Sequence, residues 1–500
     1  MLSRPDSANS SIRLPAVLAI GFTGHRKLED ERICRIQILD FLTARQASTR
    51  AILYGVSSVA AGGDLIFGES CLELGIPLRI FLPFPAEHFQ KDFIDSDWER
   101  ATAIMRSALS VEVIGDGQQP EERYYECGIQ IVQQSHFMLA LWDGLPSRGR
   151  GGTAEIKDFA LAIGKPVVWL NSETGTQQAL GQPVTATPPP DQELDFLNSL
   201  PDRSSPPRDQ TPLALAQAWF NKLDRNAAWY APRLRRLATV PIFCTAAAAV
   251  LTGMASAGAA GKVFLGTSTL LGIAAAVMPA ALRLNYFQSR WARIRPAAEL
   301  CRSVLGMWDS PAPYEAIGPE IVPELSGMLH TLQYLKLKAG TDNRATLADF
   351  RNRYRKERLD PQIEYFSRHA RQAELQSRRF RIVAWLSVGA AILMAAWMFA
   401  GRPGIASVHA PRNPRWFSLA LSALFQVSTI TGALLIVKDC DRRRRRYREL
   451  TDVLRQWKLQ FEAVCTWRSL MHVANRIERT LLVELLEWRS LLRHTRMPRR

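Results

Sequence analysis

Three short stretches combine glycine with hydroxyl and basic side chains in a way that suits phosphate recognition. They are Gly21-Phe22-Thr23-Gly24-His25-Arg26, Gly62-Gly63-Asp64 and Arg148-Gly149-Arg150-Gly151-Gly152-Thr153-Ala154-Glu155. Gly151 and Gly152 allow close backbone approach, Thr153 suits a helix cap or an oxygen contact, and Arg148 and Arg150 supply positive charge. A helix opening at such a loop turns its amide groups and the positive end of its dipole towards the ligand. The chemistry implied is the binding of a phosphate-bearing small molecule. An ordinary loop and helix start explains each stretch about as well. His25 suits a phosphate contact or a loop cap, Asp64 a ribose hydroxyl or an N-cap, and Trp142 a stacked base or the core at a strand end. Arg123, Tyr124 and Tyr125 read as the start of a solvated helix face.

Stepping from these residues to the elements that must hold them, apolar runs of strand length recur at Ala16–Phe22, Arg50–Gly55, Pro77–Leu82, Ser110–Ile114, Phe137–Leu141 and Pro166–Leu170, with helical spacing between them. Such alternation predicts βα units and a doubly wound, parallel, Rossmann-like α/β sheet covered on both faces. In that arrangement the loops lie at the carboxyl ends of their strands, where ligands bind, and converge on one edge.

Composition narrows the partners. The 500 residues exceed one ordinary core, so several domains are expected. The formal net charge of +16 suits either nucleic acid or an anionic membrane. Most of the excess follows residue 230, beside long uncharged stretches, and no basic surface interleaved with aromatics marks the N-terminal part, which favours a membrane over nucleic acid. The seven scattered cysteines form no C-x-x-C pair, so neither a disulfide framework nor a metal site is expected, and a reducing compartment is. The polar start, Met1–Arg13, and a short apolar run after it do not resemble a signal peptide, which keeps the first domain cytoplasmic.

Residues 12–171 are therefore read as the α/β domain and 172–212, rich in Pro, Ser and Thr, as a flexible linker. Two helical modules follow. The first, 213–310, holds spans at about 237–261 and 263–282. The second, 350–500, holds spans at about 382–401 and 416–437 and ends in basic helices, while 311–349 forms a cytoplasmic connection. Each span has the length that a hydrocarbon core of about 30 Å needs. Arginines flank the outer ends of both hairpins, including Arg233, Arg235, Arg236, Arg283, Arg378, Arg379, Arg381 and Arg442–Arg446, which puts both termini and the middle segment in the cytoplasm. The whole fold expected is a Rossmann-like sheet followed by an all-α membrane region with four transmembrane helices. Small residues such as Gly253, Gly266 and Gly389 suit helix packing and homo-oligomers, and no charged residue inside a span marks an ion pathway.

The motif order GFTGHR, SSVAAGGDLIFGESCLELG, LPFPAEHFQKDF, ERYYECGIQIVQQSHFMLALWDGLPSRGRGGTAEI and GKPVVWLN resembles the SLOG superfamily of Rossmann-like nucleotide-binding domains, over roughly a third of the chain. The superfamily includes phosphoribohydrolases and sensor modules of bacterial anti-phage systems. Carried over by position, Thr23, Gly24 and Arg26 match its first loop, Gly62, Gly63 and Asp64 its second, and Gly151, Gly152, Thr153 and Glu155 its last. His25, Arg148 and Arg150 complete the expected ligand set. The segment from Tyr354 to Phe366 is similar to the lead-in of SLATT membrane modules. The resemblance implies a sensor-effector of the bacterial inner membrane that binds a nucleotide or ADP-ribose-like signal, without cofactor or metal, and acts on the lipid bilayer. The alternative is a membrane-anchored nucleotide hydrolase using Glu155. The hydrolase motif resembles PGGxGTxxE, and here the carboxylate lies one residue nearer the threonine. One residue turns a helical side chain by about 100°, so binding without turnover is expected.

Overall fold

The computed structural model describes residues 12–114, 119–147, 149–181, 191–203, 209–256, 261–284, 286–311, 323–340, 345–400 and 414–494. The chain divides into two compact units, residues 1–220 with 317–344, and residues 221–316 with 345–500.

The first unit is built on strands β1 (Val17–Gly24), β2 (Ile52–Ser57), β3 (Leu78–Leu82), β4 (Ser110–Val113), β5 (Phe137–Trp142), β6 (Val167–Asn171) and β7 (Gln177–Leu180). Helices α1 (Glu31–Ser48), α2 (Gly63–Glu73), α3 (Ala86–Phe89), α4 (Asp95–Ser107), α5 (Pro120–Gln134) and α6 (Thr153–Ala162) connect them, and α7 (Gln192–Asn198) follows. The order across the sheet is β4-β3-β2-β1-β5-β6-β7, parallel except for the β6–β7 pair. Residues of β3 and β5 are all buried, as central strands covered on both faces require. β4, at one edge, alternates half-buried and exposed residues.

The chain winds outwards from β1 to β4, then crosses back to place β5 on the other side of β1. That reversal makes the carboxyl ends of β1 and β5 the topological switch point, where a crevice opens in this class of fold. One core layer gathers Phe22, Ile38, Phe67 and Ile104 under α1, α2 and α4. The other gathers Tyr54, Phe81, Val132, Trp142 and Ile156 under α5 and α6.

β7 and α7 fall within the stretch expected to be linker. Gln177–Leu180 pairs antiparallel with β6, because backbone hydrogen bonds to an open sheet edge need no apolar side chains. Asp191 caps α7, whose Leu194 and Leu197 are buried. Residues 182–190 and 204–208 lie outside the described residues. A further helix of this unit, α11 (Ser326–Lys338, counting α8 to α10 below), comes from the expected connection between the two helical modules. It packs against β1, with Tyr334 on Tyr54 at 5.6 Å and the Thr331 hydroxyl donating to the Pro15 carbonyl at 2.9 Å.

The second unit is all-helical: α8 (Pro212–Ser256, from Asn221 onwards), α9 (Gly261–Leu284), α10 (Tyr286–Gly306), α12 (Leu347–Arg353), a π-helical turn (Tyr354–Leu359), α13 (Asp360–Ala400), α14 (Pro414–Lys438), α15 (Cys440–Ala463) and α16 (Trp467–His494). Among the described residues, three helices are long and apolar enough to cross a membrane, over Gly261–Met278, Leu347–Trp397 and Leu419–Ala463. Only 6%, 11% and 12% of their apolar stretches are buried within the protein, so these side chains face outwards as lipid-exposed ones would. Of the first of the four expected spans, the described residues hold an apolar stretch within α8, Thr239–Ala255, shorter than the other three.

Candidate functional site

The carboxyl edge of the sheet brings the first two glycine-rich stretches and the end of β5 together. Thr23 and Gly24 close β1, in register with Ala140 and Leu141 of β5. The chain then turns at His25, whose amide donates to the Leu141 carbonyl at 3.0 Å and whose carbonyl accepts from the Gly63 amide at 2.9 Å. One residue thus ties the ends of β1 and β5 to the start of α2. Its imidazole Nδ1 stands 3.7 Å from the Asp143 carboxylate.

This stitching explains the glycines. Gly62 has φ of +84°, and a Cβ there would meet the Arg26 and His25 carbonyl oxygens at 2.4 and 2.5 Å. A Cβ on Gly63 would stand 3.0 Å from the Gly24 Cα. Only glycine lets the two loops approach so closely.

Asp64 sits in the first turn of α2, which is capped by Gly62 without a side-chain bond. Its carboxyl is buried and accepts a 2.9 Å hydrogen bond from the Ser57 hydroxyl at the end of β2. Asp64 is therefore no N-cap. Burial pushes its pKa up to about 7, against the opposing influence of the Ser57 bond and the nearby Arg26.

The third stretch is organised by α6. Gly152 is the N-cap and supplies no side-chain bond, so Thr153 does not cap; it is buried in the first turn. Glu155 instead reaches back to brace the loop, accepting from the Gly151 amide at 2.6 Å and from Arg150 Nη1 at 2.6 Å. Both its oxygens are committed, and the carboxylate acts as a clasp. A surface hollow of about 450 Å³ opens beside it, lined by Pro146, Ser147, Gly149, Arg150, Ala154, Glu155 and Asp158. Arg148 lies outside the described residues.

The two groups meet through α5. The Arg26 guanidinium lies 4.9 Å from the Tyr124 ring centre, and the Arg150 guanidinium 3.8 Å from that of Tyr125. The Tyr124 hydroxyl donates to Asp92, which also pairs with Arg26 at 3.5 Å. Phe84 meets Tyr124 edge-on at 5.3 Å. Tyr124 and Tyr125 thus belong to the site rather than to a solvated face. The sequence reading placed both tyrosines on a solvated face and did not single out Asp92 or Phe84; the one available signal was two adjacent tyrosines in the second turn of the helix that follows the fourth strand. Trp142 is buried against Trp169 at 4.6 Å and serves the core.

Among the described residues no group of three or more His, Cys, Asp or Glu side chains could hold a metal ion. None of the seven cysteines is in a disulfide. No protein-family model matches this chain, and no curated protein matches it in sequence. The fold and the edge define an α/β unit with a topological switch point between β1 and β5, joined in one chain to apolar helices of spanning length.

Proposed function

We propose that this protein is a membrane-bound sensor-effector: a cytoplasmic SLOG-like domain binds a nucleotide or ADP-ribose-like molecule at the switch-point crevice, and four transmembrane helices of a SLATT-like region respond. The observation that carries the reading is the His25 crossing, where the ends of β1 and β5 and the glycine start of α2 come within hydrogen-bonding distance. Two arginines and two tyrosines at one edge suit a phosphate and a planar base.

In this reading the apolar part of α8 that holds Thr239–Ala255 is the fourth span, and both termini lie on the cytoplasmic side of a bacterial inner membrane. The chain assembles as a homo-oligomer, and ligand shifts it towards a state that perturbs the bilayer, as in anti-phage signalling. Such a shift requires the ligand to bind one state better than the other. The commitment of Glu155 to Arg150 and Gly151 favours binding over hydrolysis.

The test is thermal stability of the full chain in lipid nanodiscs with AMP, cyclic nucleotides and ADP-ribose, followed by product analysis. A ligand at 100 times its dissociation constant adds about 2.7 kcal/mol. Stabilisation by an intact nucleotide, lost in Gly152→Asp, with ligand-triggered dye release from liposomes, is the expected result. Consumption of the nucleotide, abolished in Glu155→Gln, would replace the sensor by a membrane-anchored hydrolase.

A further inference from the structure

The protein contains several arginine–carboxylate pairs, and their geometries separate into two kinds. Arg100 makes two contacts to Glu69, at 2.7 and 3.1 Å, and Arg79 two to Glu112, at 3.0 and 3.2 Å. These paired contacts fix elements together. The Arg26–Asp92 pair differs. It is a single contact of 3.5 Å, with side chains 47% and 28% exposed, beside the loop that follows β1 at the carboxyl edge of the sheet. Solvent screens such a pair, so it contributes little to stability.

Its surroundings make it easy to exchange. The Asp92 oxygen that meets Arg26 also accepts from the Tyr124 hydroxyl, so the carboxylate keeps a donor when Arg26 leaves. Burial and the bond to Asp92 hold the Tyr124 pKa above its ordinary value, which keeps the hydroxyl a donor. The Arg26 backbone, by contrast, is fixed against Gly62. A pinned backbone with an exchangeable guanidinium is a pivot. The Tyr124 face under Arg26, with Phe84 beside it, is uncovered when the guanidinium swings away.

We propose that Asp92, held by Tyr124, is an internal competitor for the anionic group of the ligand: it occupies Arg26 in the free protein, and a phosphate ester displaces it, freeing the Tyr124 ring to take the base. The proposal rests on the nucleotide-binding reading above and adds to it residues that set affinity and selectivity. Asp92 is a positioning residue whose negative charge opposes the incoming phosphate. Removing that charge therefore tightens binding, the opposite of what loss of a structural partner does.

The test is calorimetric titration of AMP, ADP-ribose and inorganic pyrophosphate into the full chain in nanodiscs, for wild type, Asp92→Asn, Tyr124→Phe and Arg26→Ala. Asp92→Asn is expected to bind about tenfold tighter, with the gain shrinking in 0.5 M salt as screening predicts. Tyr124→Phe keeps the ring and gains about two- to threefold, and Arg26→Ala loses at least about tenfold. Unchanged melting of the ligand-free variants excludes misfolding as the cause. Binding by wild type with equal or weaker binding by Asp92→Asn and Tyr124→Phe overturns the competitor and leaves the sensor reading intact. Binding by Asp92→Asn alone supports it. No binding of any probe by any variant overturns both.

Discussion

Asp64 shows how one buried group records the character of the crevice. Its carboxyl ionises at about 7 rather than 3.8, chiefly because burial disfavours the charge. A pKa raised on folding stabilises the fold fully below the unfolded value, and that contribution is lost as pH rises from about 4 through 7. A shift of this size is worth on the order of 4 kcal/mol. Asp64→Asn removes the charge and keeps an acceptor for Ser57, so its melting temperature is expected to exceed wild type by several degrees at pH 8 and to match it at pH 4. Equal melting at both values would show the carboxyl to be solvated. Glu155 could be picked out from sequence because its role depends on a neighbour four residues away, Gly151, and Gly62, Gly63 and Asp64 because they form a contiguous glycine-rich motif, although Gly62 and Gly63 meet the distant first loop. Their alternatives could not be decided there: the partner of Asp64 is Ser57, on a strand, rather than its own helix start. Asp92 was not singled out, and Tyr124 was read as part of a solvated face, because each meets Arg26 only through the packing of separate βα units.

Elements of the helical unit are joined by one buried ionic node. Glu478 of α16, fully buried, accepts from Arg358 Nε at 2.9 Å and Nη2 at 2.6 Å, from Tyr354 at 2.8 Å and from Ser303 of α10 at 2.6 Å. Arg358 and Tyr354 lie in the π-helical turn that leads into α13. Such a turn adds a residue to the helix and is maintained only where side-chain contacts repay it. Glu478→Gln leaves the Arg358 charge buried with only Glu299 near, at 4.0 Å, and is expected to cost about 3–5 kcal/mol. Arg358→Met with Glu478→Leu removes both charges and is expected to recover most of that loss, read as melting temperature in nanodiscs. A double variant as unstable as Glu478→Gln would mean that the Tyr354 and Ser303 bonds dominate. The node had no sequence signature, since its members come from residues 303, 354, 358 and 478. The apolar stretches of α9, α13 and α14 did, because spanning length is a property of a continuous segment. β7 and α7 did not, since an edge strand and one capped turn need little apolar content.

At the scale of the whole molecule, the first unit is completed by a helix that the chain delivers only after α8, α9 and α10. Residues of α11 from Met328 to Leu335 are all buried. His330 stacks on His136 with ring centres 4.3 Å apart, and the Ala19 amide donates to His136 Nδ1 at 2.9 Å. That bond needs an unprotonated Nδ1. Burial and the Lys165 charge push His136 down to about 4, and burial, His136, Lys165 and Arg79 lower His330 as well. Tyr54 and Tyr334, which pack on each other beside this contact, stay neutral throughout the acid range. A histidine pKa depressed on folding leaves stability intact above about 6.5, and stability falls as pH drops from there towards 4. Asp64 acts with the opposite sign over part of that window, so the informative quantity is the difference between wild type and His330→Leu, which should widen in favour of the variant as pH falls from 7 to 4.5. A fragment ending at residue 175 lacks α11 and uncovers Tyr54 and the Pro15 carbonyl. It is expected to melt well below the sheet unit of the intact chain, and a fragment of residues 1–203 joined by a flexible linker to 317–344 to recover that stability. Equal melting of the two fragments would show α11 to be a passenger on the sheet, and the segment between the helical modules would then have no part in holding the α/β unit together.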